Sequence, residues 1–362
     1  MSTVLITGGA GFIGSRLAND LLSQHHHVRI LDPLSTQIHG NVPTGLGWLE
    51  AQGVEFIRAS VLDRESLVKS LQGVTTIVHL SAETGTGQSM YDIASYNNVN
   101  SQGTALLLDV LANSPNHTVS RIILASSRSI YGEGAYVCYA CDTSASRQFP
   151  SSRSAAQLAS HQWEPLCMHC GSPLRSVPTR ESDQALPASI YAATKYAQEH
   201  LVRVACQSLG IDYAILRFQN VYGEGQSLNN PYTGILSIFS TRIRRGLELP
   251  IFEDGRETRD FVHVSDVSRA VIACIQSSEP IRDVLNVGSG LPTSVYSVAE
   301  QLMVALGREV PLRVTANYRL GDIRHNYADI TRIMKLLPEF PHVSLSEGLA
   351  RFATEEYKPP RS

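Results

Sequence analysis

The sequence predicts an α/β fold built on a doubly wound parallel sheet, with a smaller C-terminal domain and an inserted segment. The first observation is the alternation of short apolar runs with longer helical patterns, which is typical of a parallel sheet covered by helices on both faces. The predicted strands are 4–7, 28–31, 54–57, 76–80, 121–125, 213–217 and 284–287. The predicted helices lie near 12–23, 100–112, 189–208, 265–276 and 297–306. The other observations are a glycine-rich turn after the first strand and a break in the alternation over residues 133–186.

The first predicted strand leads directly into the turn Gly8-Gly-Ala-Gly11-Phe-Ile-Gly14 and then into a helix. This context is typical of a Rossmann fold, in which the free N–H groups at a helix N-terminus bind the pyrophosphate of a dinucleotide. Gly8 permits a tight turn, Gly11 lets the backbone approach the phosphates, and Gly14 lets the helix pack closely on the strand. The residues expected to bind the cofactor here are Gly8, Gly11, Phe12, Ile13 and Gly14.

Asp32 follows the second predicted strand, at the distance from the glycine turn that the dinucleotide fingerprint requires. A carboxylate at this place accepts hydrogen bonds from the adenosine ribose and repels a 2′-phosphate, so the sequence favours NAD over NADP. The alternative is that Asp32 is an ordinary loop residue after a strand. The glycine turn upstream favours the first interpretation.

Three side chains predict chemistry at a carbon that bears a hydroxyl group. Tyr191 and Lys195 share one face of a predicted helix, where the ammonium can stabilise a phenolate and lower the pKa of the tyrosine. Ser127 lies at the end of the apolar strand that begins at Arg121. Downstream of a dinucleotide-binding turn, these are the groups needed to move a hydride and a proton at one carbinol. The alternative is a surface tyrosine and an ordinary serine at a strand end.

Four of the 6 cysteines form two Cys-x-x-Cys pairs within residues 133–186. In a reducing compartment this spacing predicts a tetrathiolate zinc site, because two tight turns can each present two sulfurs to a tetrahedral ion. The expected ligands are Cys138, Cys141, Cys167 and Cys170. Four sulfur ligands leave no open coordination position, so the zinc would be structural and would hold a zinc-ribbon insertion too short for its own core. Idle thiols and a redox pair are the alternatives.

Composition argues against several other classes of function. The formal net charge of −3 at pH 7 lacks the excess of positive charge that is typical of nucleic-acid-binding proteins. The cluster Arg242, Arg244 and Arg245 is better explained as a solvated helix face. The sequence shows neither an apolar run long enough to span a membrane nor a signal peptide. We therefore expect a cytoplasmic protein with no nucleic-acid or membrane partner.

Taken together, these motifs resemble the extended short-chain dehydrogenase/reductase family, in its nucleotide-sugar epimerase/dehydratase branch. The resemblance covers nearly the whole chain. Besides the glycine turn and the pair Tyr191 and Lys195, it is carried in family order by His79–Ala82, Asn100–Thr104, Ser126–Gly132, Leu216–Gly223, Arg259–Val264, Asn286–Gly290 and Arg319–Asp322. It implies an NAD-dependent enzyme that acts on a nucleotide sugar as a homodimer.

The resemblance also implies a set of roles for individual residues. Ser127, Tyr191 and Lys195 match the catalytic residues of the family. The cofactor contacts it implies beyond the glycine turn are Asp32, Ser60, Val61, Leu80, Asn100, Tyr191 and Lys195. The substrate contacts it implies are Ser127, Asn220, Phe252, Arg259, Arg319 and Asp322. Among these the asparagine and the two arginines would hold the diphosphate, because arginine presents a planar fork to phosphate oxygens, and Phe252 would stack on a pyrimidine.

The domain boundaries implied by the resemblance follow the same motifs. The NAD-binding domain would comprise 1–132 and 187–222, with contributions near 259–288. The zinc-knuckle insertion would occupy 133–186, and the nucleotide-sugar-binding domain would comprise 223–258 and 289–362.

The sequence departs from the family pattern at three positions. Arg128 and Ser129 stand where dehydrating members place an Asp-Glu pair, and Ser129 stands where decarboxylating members carry a glutamate. We therefore expect neither loss of water nor loss of CO₂. Ser60 replaces an aspartate that commonly contacts the adenine, which leaves that contact to the backbone of Val61.

The insertion, Gln219 and the run Ser227–Gly234 resemble a subgroup associated with deoxyhexose nucleotides, whose nearest type is the dTDP-L-rhamnose 4-epimerases. Our first hypothesis is a redox-neutral nucleotide-sugar 4-epimerase that works through a transient 4-keto sugar on a pyrimidine-nucleotide hexose or 6-deoxyhexose. One rival is a nucleotide-sugar 4-ketoreductase or dehydrogenase with an exchangeable cofactor. The other is a non-catalytic NAD-binding regulatory protein that uses its zinc module for interactions.

Overall fold

The computed structural model describes residues 3–40, 46–50, 53–141, 146–226 and 234–354. The strands are β1 (Thr3–Thr7), β2 (His27–Leu31), β3 (Val54–Ile57), β4 (Thr76–His79), β5 (Arg121–Ser127), β6 (Tyr136–Val137), β7 (Arg175–Ser176), β8 (Asp212–Phe218), β9 (Asn220–Tyr222), β10 (Leu249–Ile251), β11 (Thr258–Arg259), β12 (Phe261–His263), β13 (Asp283–Val287), β14 (Thr293–Ser294), β15 (Leu312–Val314) and β16 (His325–Asn326). The helices are α1 (Phe12–Ser23), α2 (Thr36–His39), α3 (Arg64–Ser70), α4 (Thr86–Ser89), α5 (Ile93–Tyr96), α6 (Gly103–Ala112), α7 (Ala155–Ala159), α8 (Ile190–Leu209), α9 (Ile235–Arg244), α10 (Val264–Gln276), α11 (Val295–Leu306), α12 (Thr331–Leu336) and α13 (Leu345–Ala353).

The central sheet has seven strands in the order β13-β8-β5-β4-β1-β2-β3. β1 pairs in parallel with β2 and β4, and parallel pairing continues from β2 to β3 and from β4 to β5. The strand order reverses between β1 and β4, because β2 and β3 follow on one side of β1 and β4, β5 and β8 follow on the other. The carboxyl end of β1 is therefore at a topological switch point, where ligands bind in such sheets. The seven strands predicted from apolar runs are the strands of this sheet, and the predicted α/β class is confirmed.

Two helices show how the sequence builds this layer. In α1 the buried residues Gly14, Leu17, Ala18 and Leu21 recur at the helical period and cover the sheet. α8 begins at the N-cap Ser189, whose hydroxyl accepts a hydrogen bond from the backbone N–H of Ala192. It ends at a glycine in the left-handed conformation, which satisfies the last carbonyl groups of the helix.

The chain divides into two compact units. The first comprises Met1–Ser127, Ser189–Arg217 and Val264–Leu285, and the second comprises Arg128–Ala188, Phe218–His263 and Asn286–Ser362. The core of the first unit lies between the sheet and the helices α3, α6 and α8. The second unit has a separate core, to which α9, β10, α11 and α13 contribute apolar side chains.

In the described residues of the segment 133–186, which are 133–141 and 146–186, the regular structure is mainly the antiparallel pair of β6 and β7 and the short helix α7. Its apolar cluster is small: Tyr136, Cys138, Cys167 and Leu174, with Cys141 packed against them. So small a cluster cannot stabilise a segment of this length by hydrophobic burial alone.

One predicted helix differs in its geometry. The sequence predicts an α-helix over 100–112, whereas the structure has a π-helical turn at Asn97–Gln102 before α6. A π turn inserts one residue into the helical ladder and is common at functional sites. Here it contains Asn100, one of the predicted cofactor contacts, which is fully buried.

Among the described residues, no helix is both long enough and apolar enough to cross a bilayer. Of the run Ser227–Gly234, which resembles the deoxyhexose subgroup, residues 227–233 lie outside the described residues. Gln219, the other position of that resemblance, lies in the second unit and is buried.

Candidate active site and metal centre

Two positions of the glycine turn are too crowded for a side chain. Gly8 has a φ of +70°, and a Cβ at this position would lie 2.8 Å from the backbone nitrogen of Ser81. A Cβ on Gly14 would lie 2.6 Å from the Cα of Gly9, so only glycine lets α1 pack against the turn. Both positions therefore need glycine for steric reasons.

The N-terminus of α1 suits an anion. Its N-cap residue is Gly11, which offers no side-chain cap, and the first turn, with Phe12 and Ile13 half-buried, contains no acidic residue. Backbone N–H groups at such a terminus are not satisfied inside the helix, and the helix dipole favours negative charge there. The pyrophosphate of NAD fits this end of α1.

Asp32 is fixed at the rim of the glycine turn. Its Oδ2 accepts a hydrogen bond from the backbone N–H of Ala10 at 3.1 Å, and its Oδ1 accepts one from Leu34 at 2.8 Å. The residue is 5% exposed. Since each carboxylate oxygen can accept more than one hydrogen bond, the side chain can still accept from ribose hydroxyls.

The other predicted cofactor contacts surround the carboxyl ends of β3 and β4. The hydroxyl of Ser60 accepts from the backbone of Leu62 at 3.2 Å, and Val61 is buried. Leu80 follows β4 and donates its N–H to the carbonyl of Thr7 at the end of β1. These residues belong to the same unit as the glycine turn and lie at the sheet edge where a dinucleotide is bound in doubly wound folds.

The amide of Asn100 joins the loop after β4 to α8. Its Oδ1 accepts from the backbone N–H of Glu83 at 2.8 Å, and its Nδ2 donates to the Glu83 carbonyl at 3.1 Å and to the hydroxyl of Thr194 at 3.0 Å. Thr194 lies directly before Lys195. The structure therefore gives Asn100 a direct part in fixing the helix that carries the candidate catalytic residues.

Lys195 is an unusual residue for its place in the first unit, because a lysine is rarely buried and this one is only 3% exposed. Burial penalises the ammonium form and lowers the pKa of Lys195 from 10.5 to about 7, although the nearby Glu199 opposes this shift. Tyr191 lies one helical turn earlier and is half-buried, with its ring edge-on to that of Tyr96 at a centroid distance of 6.4 Å. The Tyr191 ring is thereby fixed by packing as well as by the helix.

A buried ion pair continues the same helix face. Glu199 accepts two hydrogen bonds from the guanidinium of Arg217 on β8, at 2.9 and 2.7 Å, and a third from the hydroxyl of Ser126 on β5. Ser126 precedes Ser127, so Glu199 fixes α8 against the end of the strand that carries the predicted catalytic serine. Glu199 is not among the residues that the sequence motifs predict, although its four-residue spacing from Lys195 repeats that of Tyr191 and Lys195.

The catalytic candidates thus come from two neighbouring elements of one unit. Tyr191 and Lys195 lie on α8, and Ser127 is the last residue of β5. A phenol, a hydroxyl and an amine at this end of the sheet can together accept a proton, bind an oxygen and stabilise a phenolate. This is general acid–base chemistry at a carbon–oxygen bond.

The substrate candidates other than Ser127 lie in the second unit. The guanidinium of Arg319 lies 4.9 Å from the ring centroid of Phe252, which is a cation–π distance. Asp322 belongs to the same turn as Arg319, since its N–H donates to the Arg319 carbonyl at 3.3 Å. The structure therefore brings together three residues that the resemblance places at the nucleotide.

Arg259 and Asn220 are anchored by backbone carbonyls. Arg259 donates to the carbonyls of Thr258, Ile323 and Arg324 at 2.8, 2.8 and 3.1 Å. Asn220 donates its side-chain amide to the carbonyl of Asp260 at 2.9 Å. These contacts use part of the donor capacity of each side chain and fix its direction.

The four predicted zinc ligands lie together. Their sulfur atoms are all within 4.8 Å of one another, with Cys138 and Cys170 at 3.6 Å and Cys141 and Cys167 at 3.7 Å. A tetrahedral ion with Zn–S bonds of about 2.3 Å requires sulfur–sulfur distances of about 3.8 Å, so the cluster fits zinc. The nearby His161 stacks instead on Trp163, at a centroid distance of 5.2 Å.

Known proteins that resemble this chain in sequence include a family of NAD-dependent enzymes and a curated 4-epimerase. The sequence matches the family described as the NAD dependent epimerase/dehydratase family over residues 4–164 and 166–288. The dTDP-L-rhamnose 4-epimerase of Burkholderia thailandensis is 35% identical over 355 residues, which cover 97% of this chain and 94% of that protein.

Solved structures of similar fold include the UDP-glucuronic acid 4-epimerase from Bacillus cereus in complex with UDP-glucuronic acid and NAD. It has a TM-score of 0.77, is 27% identical, and the match covers 97% of this chain and 98% of that one. The UDP-glucose 4-epimerase of Thermus thermophilus in complex with NAD has a TM-score of 0.72 and is 27% identical, with 97% of each chain covered. The resemblance expected from the motifs is confirmed.

The burial of Lys195 predicts a characteristic pH dependence in protein stripped of cofactor. The pKa of Lys195 is about 7 in the folded chain and 10.5 as its ordinary value, so the unfolded chain binds one more proton between these pH values. The Lys195 contribution to stability therefore rises with pH, by at most about 1.4 kcal/mol per pH unit. Lys195→Met should be more stable than wild type at pH 6, and this advantage should shrink from pH 7 to pH 10.

Urea unfolding at pH 6, 8 and 10 measures the effect. Lys69→Met, which removes an exposed lysine from α3 of the same unit, is the matched control and should show little pH-dependent difference. A constant difference between Lys195→Met and wild type over this range would show that Lys195 stays charged in the folded protein.

Proposed function

Because the chain belongs to the NAD dependent epimerase/dehydratase family, we propose that it is a nucleotide-sugar 4-epimerase acting on a pyrimidine-nucleotide hexose or 6-deoxyhexose, for example dTDP-L-rhamnose. The observation that carries the proposal is the buried amine of Lys195 one turn after Tyr191 on α8. This geometry suits reversible oxidation of an alcohol. The names of the relatives at 35% and 27% identity support 4-epimerisation as the outcome.

In the proposed reaction Tyr191, as a phenolate, takes the proton of the C4 hydroxyl. Ser127 donates a hydrogen bond to the same oxygen, and Lys195 in its charged form stabilises the phenolate. When bound, NAD⁺ would supply the reversible hydride transfer at C4 that both halves of the reaction need. The 4-keto sugar turns over between the two halves, and Tyr191 then returns the proton to the oxygen of the epimer.

NAD fits the residues of the first unit. We assign the pyrophosphate to the N-terminus of α1 at Gly8, Gly11 and Gly14, and the adenosine ribose to Asp32. The carboxylate of Asp32 sits at the rim of the glycine turn, where a 2′-phosphate would meet its negative charge, which supports NAD over NADP. Ser60, Val61, Leu80 and Asn100 would complete the cofactor site.

The nucleotide of the substrate is assigned to the second unit. Phe252 would stack on the pyrimidine, and Asn220, Arg259 and Arg319 would hold the diphosphate, with Asp322 in the same turn as Arg319. The proximity of Arg319 to Phe252 supports a single site for the base and the phosphates.

The residues after Ser127 support epimerisation over elimination. Arg128 and Ser129 begin a 3₁₀ turn at the end of β5, and neither can act as the carboxylic acid or carboxylate that loss of water from C6 needs. We therefore propose that oxidation at C4 is followed only by reduction at C4.

Zinc, domain organisation, location and assembly complete the proposal. The sulfur geometry supports a structural zinc held by Cys138, Cys141, Cys167 and Cys170. We propose that 1–132 and 187–222, with contributions near 259–288, form the NAD-binding domain, that 133–186 is the zinc-knuckle insertion, and that 223–258 and 289–362 form the nucleotide-sugar-binding domain. Cysteine pairs available for metal suit the reducing cytoplasm, and the family resemblance supports a homodimer.

The reaction itself can be tested with labelled substrate. The purified protein should convert dTDP-L-rhamnose, or another pyrimidine-nucleotide hexose, to its C4 epimer without added NAD and without net NADH. Because the hydride leaves and returns to the same carbon, substrate deuterated at C4 should give product that keeps the label at C4. NMR of the sugar ring measures this. Product that forms only when NADH is supplied and consumed would instead identify a 4-ketoreductase.

Tyr191→Phe should lower turnover by about 10²–10⁴-fold, the usual contribution of a general acid–base group, while leaving the fold intact. The change removes one oxygen and retains the ring that packs against Tyr96. Tyr196→Phe is the control, because Tyr196 lies on the same helix and its ring packs against His200. Steady-state kinetics with the substrate that the wild-type protein epimerises should show wild-type turnover for the control. Near-normal turnover of Tyr191→Phe would remove it from the mechanism.

Metal analysis should find about one zinc per chain, and Cys167→Ser should lose it. Loss of zinc should expose residues 133–186 to protease first and leave the parallel sheet folded, because the core of the sheet contains none of the four ligands. His169→Ala is the control, since His169 lies between two ligands and is not part of the sulfur cluster. An insertion that resists protease equally well without metal would contradict the structural role.

A further inference from the structure

A buried network of charges joins the insertion to the turn that follows Phe252. Arg153 of the insertion is 5% exposed, and Glu253, next to Phe252, is 4% exposed. The guanidinium of Arg153 donates to both oxygens of Glu253, from Nη1 at 2.8 Å and from Nη2 at 2.7 Å. A bidentate pair of this kind fixes both distance and orientation.

The same guanidinium reaches two other backbone segments. Its Nη1 donates to the carbonyl of Trp163 within the insertion at 2.9 Å, and its Nη2 donates to the carbonyl of Asp322 at 3.0 Å. Asp322 closes the turn that carries Arg319. One side chain of the insertion thus contacts both segments that present the proposed nucleotide-binding residues Phe252 and Arg319.

Glu253 also has an unusual backbone conformation. Its φ is +48°, a left-handed conformation that costs energy for a residue other than glycine. Its N–H donates to the carbonyl of Asn317 at 2.8 Å, and its carboxylate also accepts from Arg324 at 3.0 Å. The turn that orients Phe252 is therefore held in place by the ion pairs of the next residue.

The cysteine cluster supports the other end of the network. Tyr136 packs against Cys138 and Cys167, and its hydroxyl donates to the carboxylate of Glu133 at 3.1 Å. Glu133 lies 3.6 Å from the Nε of Arg153. Contacts therefore run from the sulfur ligands through Tyr136, Glu133 and Arg153 to Glu253.

We propose that Arg153 is a positioning residue through which the cysteine-bearing insertion sets the affinity for the nucleotide part of the substrate. The proposal rests on the proposed function in one respect, the assignment of Phe252 and Arg319 to the nucleotide. Arg153 acts on these residues through Glu253 and Asp322. It has no part in the chemistry at C4, because its contacts described here lie within the second unit.

The test compares binding of UDP and dTDP with turnover. For Arg153→Met, calorimetry should show Kd values for UDP and dTDP raised about tenfold or more, as expected when a buried ion pair loses one partner. KM should rise in parallel, and kcat should stay within about twofold of wild type because positioning of the nucleotide is separate from the acid–base groups. Arg153→Lys should give an intermediate Kd, since lysine keeps the charge and loses the bidentate geometry.

Three further variants keep the test decisive. Glu253→Gln removes the partner. The double variant Arg153→Met/Glu253→Gln should lose less affinity than the sum of the two single losses, because both changes break the shared ion pair, although each also breaks a contact of its own, to Asp322 for Arg153 and to Arg324 for Glu253. The double variant also leaves less buried charge unpaired if Arg153→Met alone fails to fold. Arg147→Met is the control: Arg147 pairs with Asp183 inside the insertion and should leave the Kd unchanged.

The outcomes separate this proposal from the function itself. An unchanged Kd in Arg153→Met, an equal loss of affinity in Arg147→Met, or additive losses in the double variant would overturn the positioning role. Wild-type protein that binds UDP or dTDP and epimerises no nucleotide sugar would overturn the proposed reaction, while the Kd comparison still decides the role of Arg153. Wild-type protein that binds neither nucleotide would overturn both.

Discussion

The burial of the Lys195 amine is the constraint on which the first unit depends. An ammonium taken out of water costs several kcal/mol unless other groups compensate, and here Glu199 on the same helix offsets only part of that cost, because the pKa of Lys195 is still lowered to about 7. Glu199 is in turn held by Arg217 and Ser126 from two neighbouring strands. Helix α8 is therefore locked to β5 and β8 by polar contacts, and the position of Tyr191 follows from that lock.

The effect of Lys195 extends to the neighbouring strand. Burial, with the charge of Lys195 as a second cause, lowers the pKa of His79 to about 3, so its ring is neutral at pH 7. The neutral ring bridges the hydroxyls of Thr7 and Thr104, at 2.7 and 2.9 Å. A neutral imidazole can donate from one nitrogen and accept at the other, which lets it join β1 to α6 without adding a second buried cation.

How far the sequence predicts this molecule depends on the range of the interactions. The strands and the glycine turn are determined by local patterns, such as the apolar run before Gly8, and the structure has them where the sequence predicts them. The pairing of Arg153 with Glu253, or of Glu199 with Arg217, joins residues far apart in sequence, and a charged residue read alone is most simply a surface group. The π turn at Asn100 was missed because a single inserted residue leaves the helical pattern nearly unchanged.

The second unit also contains buried charges, at the place where its insertion 133–186 meets the turn that follows Phe252. Among the described residues, its insertion has few apolar side chains. A compact sulfur cluster lies at one end, and ion pairs of the arginines Arg153 and Arg324 hold the other. Burial raises the pKa of Glu257 near this network to about 7, because the charged carboxylate is penalised more by loss of water than it is stabilised by the nearby arginines. Such a network adds little net stability, but it holds its members in one arrangement, because any displaced partner leaves a buried charge unpaired. An insertion fixed in this way can hold the turn of Phe252 in one conformation. A hydrophobic contact is not directional and would define the position of this turn less closely.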